Sequence, residues 1–252
     1  MKAEQMHSCR DNQRTVSDIE KFGLSVILIQ ATDYLPSFAY SIGLWQKFGH
    51  PEILCFGLSV EILHGLINDV AEMVKNGGTI ETGKQYNDFF ESGTTEFVNV
   101  DLRNLPDYFG TAIDFYGSSD FSALQLVWTD RNNKFPWNEG FEKEYLYKQP
   151  LLDRNAEFKF IEVANLGVFT TRQWLEEQKP ILHVVHDVDG DWQFLTGDQM
   201  PEDIKIVALK ELVFRDLTLN QIFDLEYGEE AKRDFVGGQW TRGEVENSND
   251  EE

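Results

Sequence analysis

Two stretches of this 252-residue chain hold residues whose types could do chemistry. The first is His50-Pro51-Glu52, an imidazole and a carboxylate flanking a proline. A loop histidine beside a strand can face a cleft and change charge near neutrality. Tyr40 and Ser41 lie close in sequence, and Asp107, Tyr108 and Asp114 lie farther on. His50 is therefore the catalytic candidate for general acid–base work. No nucleophile elbow and no paired-carboxylate pattern accompanies it, so the competing reading is a histidine bonded to its own loop backbone.

The second stretch is ILHVVHDVDGDWQFL, residues 181–195. His183, His186, Asp187, Asp189 and Asp191 resemble a metal cluster in composition but not in geometry. Residues three apart on a strand face opposite ways, so His183 and His186 cannot share an ion there. A calcium loop starting at Asp187 would need glycine at its sixth position and a bidentate glutamate at its twelfth, whereas Gly190 is fourth and Asp198 is twelfth. No metal is expected. Asp189-Gly190 between two apolar runs instead reads as a two-residue hairpin turn. That register pairs Val188 with Asp191, Asp187 with Trp192, His186 with Gln193 and Val185 with Phe194.

Aromatic residues are dense between positions 108 and 137. Tyr108, Tyr116, Trp128 and Trp137 are the candidate ligand-binding residues of that stretch, since such clusters can wall a flavin or nucleotide pocket. Core packing is the competing reading, because each ring buries a large apolar area. Neither a Walker loop nor a G-x-G-x-x-G run is present. No cofactor is expected, with flavin as the alternative. In the second half, Asp187, Asp189, Asp191 and Trp192 form the candidate partner-binding set, with the indole as an anchor.

The net charge of −22 opposes non-specific attraction to nucleic acid. Residues 1–155 carry 13 basic and 22 acidic side chains, and residues 156–252 carry 9 and 22. A basic protein partner would thus be drawn to the shorter, more acidic half. Cys9 sits in a polar leader and Cys55 in an apolar run, so no structural disulfide is expected. Neither a signal-like apolar segment nor a membrane-spanning run is found, and the chain reads as cytoplasmic.

The elements that must position these residues follow from periodicity. Residues 25–31, 38–44, 52–58, 96–101 and 123–128 read as strands. Ser59 caps a helix whose apolar stripe runs Leu63, Leu66, Ile67, Val70, Val74, with Gly77-Gly78 as its stop. Pro106 opens a helix continuing through Tyr116. A turn is expected around Asp33 to Pro36. KIVALKELVF, residues 205–214, reads as a strand, and the TLNQIFDL run as a short helix. Two α+β domains are expected, at 14–150 and 156–242, followed by an acidic tail at 243–252. A split-barrel-like sheet with two helices is one arrangement for the first, and a small hairpin-centred unit describes the second.

The runs FAYSIGLWQKFGHPEILCFGL, PDYFGTAIDFYG and ALQLVWTDRNNKFPWNEGF occur in order between Phe38 and Phe141. They resemble the bacterial proteins catalogued as domain of unknown function 4262. The DGDWQFL hairpin resembles domain of unknown function 2185, a group that includes predicted immunity proteins of toxin systems. The lack of a recognisable catalytic constellation, the acidity of the second half and what this second resemblance implies together point to a non-enzymatic binding module, immunity-type or regulatory. The alternative is a ligand-binding sensor, or a flavin- or nucleotide-dependent enzyme, using the aromatic pocket of the first domain.

Overall fold

The computed structural model describes residues 13–32, 35–145 and 147–245. The leader with Cys9, the expected turn at Asp33 and the tail from residue 246 onward lie outside the described residues. The chain divides into two compact units, Met1–Thr32 with Pro36–Ala156, and Asp33–Leu35 with Glu157–Glu252. Both mix helices with a sheet, an α+β fold in two units. Among the described residues no helix is long and apolar enough to cross a membrane.

The first unit is built on six strands: β1 (Ser25–Ile29), β2 (Phe38–Ile42), β3 (Glu52–Phe56), β4 (Gln85–Tyr86), β5 (Thr95–Asn99) and β6 (Ala123–Trp128). Their order is β1-β2-β3-β6-β5-β4, with β1 and β4 each paired on one side only among the described residues. The sheet is therefore open rather than closed through its hydrogen bonds. β3 and β6 run parallel and the remaining neighbours antiparallel. Every residue of β2, β3 and β6 is buried, as expected of central strands covered on both faces.

The helices account for that burial. Residues 13–22 form α1. α2 (Leu44–Phe48) is short, and α3 (Val60–Lys75) lays Leu63, Leu66, Ile67, Val70 and Val74 on one face of the sheet. Ser59 caps α3 as its spacing predicts. On the other face, α4 (Leu105–Tyr108) and α5 (Gly110–Tyr116) bring Tyr108 and Phe109 against Phe38, Tyr40 and Phe56. The sequence reads α4 and α5 as one helix; Phe109, at φ −118°, breaks it in two. The strand expected to reach residue 44 stops at Ile42, because Gly43 takes φ +118° and opens α2 instead.

The second unit has β7 (Gly167–Thr171), β8 (His183–His186), β9 (Trp192–Leu195), β10 (Ile204–Ala208), β11 (Glu229–Lys232) and β12 (Thr241–Glu244), in the order β10-β7-β9-β8-β11-β12. α6 (Arg172–Glu177) follows β7, capped by Thr171, which accepts from the Trp174 amide at 3.1 Å. The run read as one strand at 205–214 splits into β10 and α7 (Leu209–Arg215). The apolar period changes there: Leu209, Leu212 and Val213 are buried at helical spacing. The TLNQIFDL run is a 3-10 turn over Leu217–Ile222. Gly243 and Glu244, read as the start of the tail, pair within β12.

The hairpin lies one residue away from the register expected. His186 faces Trp192 and Val185 faces Gln193. Val188, Asp189 and Gly190 form a three-residue loop, with Gly190 at φ +88°. Asp187 decides it, since its Oδ1 accepts the amides of both Asp189 and Asp191 at 3.0 Å. A turn followed by a left-handed glycine is the usual three-residue solution. Directly after β11, Arg233, its side chain wholly buried, pairs with Asp216, donates to the Ile181 carbonyl and lies over Trp240.

That register stacks His186 on Trp192 with ring centroids 4.0 Å apart, and Nδ1 donates to the Leu225 carbonyl at 2.7 Å. Burial holds the His186 pKa below its ordinary value, although Leu225, Asp187 and Glu229 pull the other way. The unfolded chain takes up this proton near 6.5 and the folded one only at lower pH, so stability is full above 6.5 and is lost on acidification. His50 shifts in the same direction in the first unit. Thermal unfolding followed by tryptophan fluorescence should shift to lower temperature between about pH 7 and about pH 5. His186→Phe should flatten that dependence; an equally steep slope in the variant would assign it to other groups.

Candidate functional site

Glu52 opens β3 and is completely buried. Its Oε1 accepts from the Gly43 amide at 2.9 Å, the Trp45 amide at 3.0 Å and the Tyr116 hydroxyl at 2.5 Å. Its Oε2 accepts from the Ser41 hydroxyl at 2.5 Å, and Ser41 Oγ in turn accepts from the Ile53 amide. α2 has no side-chain cap of its own, so the first strand residue after it supplies one. Burial pushes the Glu52 carboxyl above its ordinary value, and these donors oppose the shift. The Tyr116 hydroxyl is pushed far upward, first by burial and then by the Glu52 charge. A carboxylate with this many protein donors and no exposed surface is a structural node.

His50 does not join that network. It is 9 % exposed, its Nδ1 donates to the Pro51 carbonyl at 2.7 Å, and Nε2 has no hydrogen-bond partner among the described residues. Burial lowers its pKa. The two residues adjacent in HPE thus have separate surroundings: the imidazole bonds its own loop and the carboxylate caps a helix.

The four candidate ligand aromatics are also dispersed. Tyr108 is buried edge-on to Phe38 and Phe56. Tyr116 serves Glu52. Trp137 stacks on Phe135 at 4.9 Å, with the Arg154 guanidinium 5.1 Å away. Of the four, Trp128 lines a cavity.

That cavity, of about 620 Å³, opens where the parallel strands β3 and β6 end. Gly57, Leu58 and Ser59, the link from β3 to α3, form one side, and Trp128, Thr129 and Asp130 form another. Ser92 and Gly93 close a third, and Arg131, Asn133, Tyr145 and Lys148 stand at the mouth. The carboxyl ends of parallel strands are where open sheets with helical crossovers commonly hold ligands, and the volume lies in the ordinary range for such sites. Trp128 is fixed by Nε1 donating to the Phe56 carbonyl at 2.8 Å, and its ring meets Tyr145 edge-on at 5.6 Å.

Two cations stand at the mouth in an otherwise acidic chain. The Arg131 guanidinium lies 5.2 Å and the Lys148 ammonium 5.3 Å from the Tyr145 ring centroid. Arg131 also pairs with Glu142 at 3.3 Å and Glu144 at 2.5 Å. Asp130 is already engaged, accepting the amides of Asn132 and Lys134 from its own turn and of Glu142 from farther along the chain, each at 2.9 Å. Burial would raise its pKa, but these amides outweigh it and hold the carboxyl below the usual range.

Lys148 is placed by its backbone. A Cβ at Gly57, which has φ +77°, would fall 2.3 Å from the Lys148 carbonyl oxygen, so only glycine fits. Beside it, Gln149 Oε1 accepts the Trp128 amide and Nε2 donates to the Trp128 carbonyl, at 2.9 and 3.0 Å. Sequence reasoning passed over Arg131, Tyr145 and Lys148. The nearest legible signal was Gly57 and Ser59 between an apolar strand and a capped helix, a common ligand-facing link.

A larger groove, about 710 Å³, runs along β1 between residues of α1 and α3. Its charged lining, Arg14 and Asp18, faces itself at 3.9 Å. In the second unit Asp189 and Asp191 are exposed, whereas Trp192 is 1 % exposed, stacked on His186 and donating to Glu162 at 2.8 Å. The indole proposed as a surface anchor is therefore core. His183 meets Glu230 at 2.8 Å, away from His186. Among the described residues no group of three or more His, Cys, Asp or Glu is arranged to hold a metal ion.

Residues 18–142 match the family model described as domain of unknown function (DUF4262). This supports the family reading for the first unit. No curated protein and no solved structure matches the chain.

Replacing Glu52 separates its cap from its charge. Glu52→Ala should cost about 3 kcal/mol, because it leaves buried amides and hydroxyls unpaired. Glu52→Gln keeps an acceptor for α2 and can donate to Ser41, so its loss should stay within about 1 kcal/mol. Denaturant unfolding of both variants measures this; equal losses would mean that the charge itself holds the node.

Proposed function

We propose that the first unit, the part that matches DUF4262, is a small-molecule-binding module, with its ligand in the cavity at the ends of β3 and β6. The observation that carries this reading is the convergence at one opening of an aromatic wall, Trp128 and Tyr145, with two cations and a glycine link that admits close approach. Binding is favoured over catalysis because Glu52 is committed to its donors and neither it nor His50 lines the cavity. A ligand-sensing role fits, and a flavin- or nucleotide-sized ring system is within the range that the volume admits. Native mass spectrometry on protein drawn gently from its host should show a bound mass of a few hundred daltons. Ser92→Trp, which fills the mouth from an exposed position, should abolish it. A bound mass unaffected by Ser92→Trp would place the ligand elsewhere, and a bare wild-type chain would count against the reading.

A second reading concerns the second unit and is favoured by the exposed carboxylates of Asp189 and Asp191 at the hairpin tip. With a net −13 over residues 156–252, this tip would steer a basic protein partner, consistent with an immunity-type or regulatory role. Asp187 would hold the tip in shape rather than touch the partner. Reversing Asp189 and Asp191 to lysine should slow association with a basic partner about tenfold at low salt, with little change at high salt. An unchanged association rate would remove this surface.

A further inference from the structure

We infer that the cavity of the first unit takes an anionic small molecule, one carrying a phosphate or carboxylate group, and that Lys148 is its principal contact. The inference rests on reading that cavity as a ligand site. Residues 1–155 carry a net charge of −9, so the background field of this unit repels anions. Against it, two cations are gathered over one tyrosine ring at the opening of one cavity.

The two cations are not equivalent. Arg131 is already neutralised by Glu142 and Glu144. Lys148 forms no ion pair among the described residues, and its side chain is exposed at the mouth. Its backbone is held against Gly57 and beside the Gln149–Trp128 pair, and its ammonium lies 5.3 Å from the Tyr145 ring centroid. The hydroxyls of Ser59 and Ser92 line the same space and can donate to an oxyanion. The ring or carbon body of the ligand would lie toward Trp128 and Tyr145.

The carboxylates nearby set the opposing charge. Asp130 faces the amides of Asn132, Lys134 and Glu142. Glu61 lies in the first turn of α3, where its own amide and the Ser59 hydroxyl hold its pKa down. An incoming anion would compete with Glu61 for Ser59. Removing that charge should therefore tighten binding, while removing Lys148 should weaken it. A merely structural role for either residue would not produce this opposition.

The test uses the full chain with phenyl phosphate, benzoate, inorganic phosphate and benzyl alcohol. Calorimetry gives affinities, and the Trp128 indole signal in NMR, assigned through Trp128→Phe, gives the location. Phenyl phosphate or benzoate should shift the Trp128 signal and bind at least about tenfold more tightly than benzyl alcohol. Lys148→Met should weaken that binding about tenfold, and Glu61→Gln should strengthen it about twofold to fivefold. Both effects should shrink as salt is raised. A preference for phenyl phosphate and inorganic phosphate over benzoate would identify the head group as phosphate, and the reverse as carboxylate. If benzyl alcohol binds equally well, or Lys148→Met changes nothing, the anionic inference fails while the cavity keeps its ligand role. If no probe moves the Trp128 signal at millimolar concentration, the cavity reading itself falls, and the inference with it.

Discussion

The buried carboxylate of Glu52 is the constraint on which the first unit depends. It receives hydrogen bonds from β2 through Ser41, from the start of α2 through the amides of Gly43 and Trp45, and from α5 through Tyr116. Taking a carboxylate out of water is costly, and only a full set of donors offsets it. Those donors come from separate parts of the chain, so the network forms only when these elements meet in one arrangement. It fixes the beginning of β3. The other end of the same strand then delivers Gly57 and the cap of α3 to the cavity.

Side-chain amides continue this pattern. Gln125 donates to the Pro150 carbonyl and accepts the Leu152 amide, Gln149 makes both bonds to the Trp128 backbone, and Asn104 donates to the Leu152 carbonyl. Each amide offers a donor and an acceptor, and so can stand in for a neighbouring strand's backbone. Together they secure the segment from Lys148 to Leu152 although it belongs to no strand. An irregular segment held this way keeps its backbone polar groups satisfied and places Lys148 at the cavity mouth. The link from fold to function in this unit therefore runs through buried polar groups more than through the apolar core.

In the second unit the corresponding decisions are made by Asp187 and Arg233. Asp187 shapes the hairpin loop, and the resulting register stacks His186 on Trp192. Arg233 gathers Asp216, Thr218 and the Ile181 carbonyl below Trp240. The Trp192 indole, which looked available for a partner, is thereby drawn inward, and the surface left at the tip is carboxylate. A partner surface here would act by charge, which governs association rate more than affinity.

Local pattern was enough for α3, with its Ser59 cap and apolar stripe, for the apolar strands β3 and β6, and for the mixed α+β class of both units. These features arise from interactions a few residues long, which periodicity and capping record directly. Elsewhere the outcome turned on a distant partner. Gly43 leaves the strand pattern because Glu52 waits for its amide, and the hairpin slips by one residue because Asp187 bonds two amides at once. The aromatic run from Tyr108 to Trp137 announced buried area but not its division, which came from which ring faced which strand. The mouth of the cavity was the least legible part. Arg131, Tyr145 and Lys148 are unremarkable as sequence, and they acquire meaning only because β6 ends beside β3 and the segment carrying Lys148 folds back over Gly57. By itself the sequence determined element types, charge balance and a family likeness for the first unit. The tertiary structure alone decided which polar groups are buried and which converge, because those depend on contacts between residues tens of positions apart.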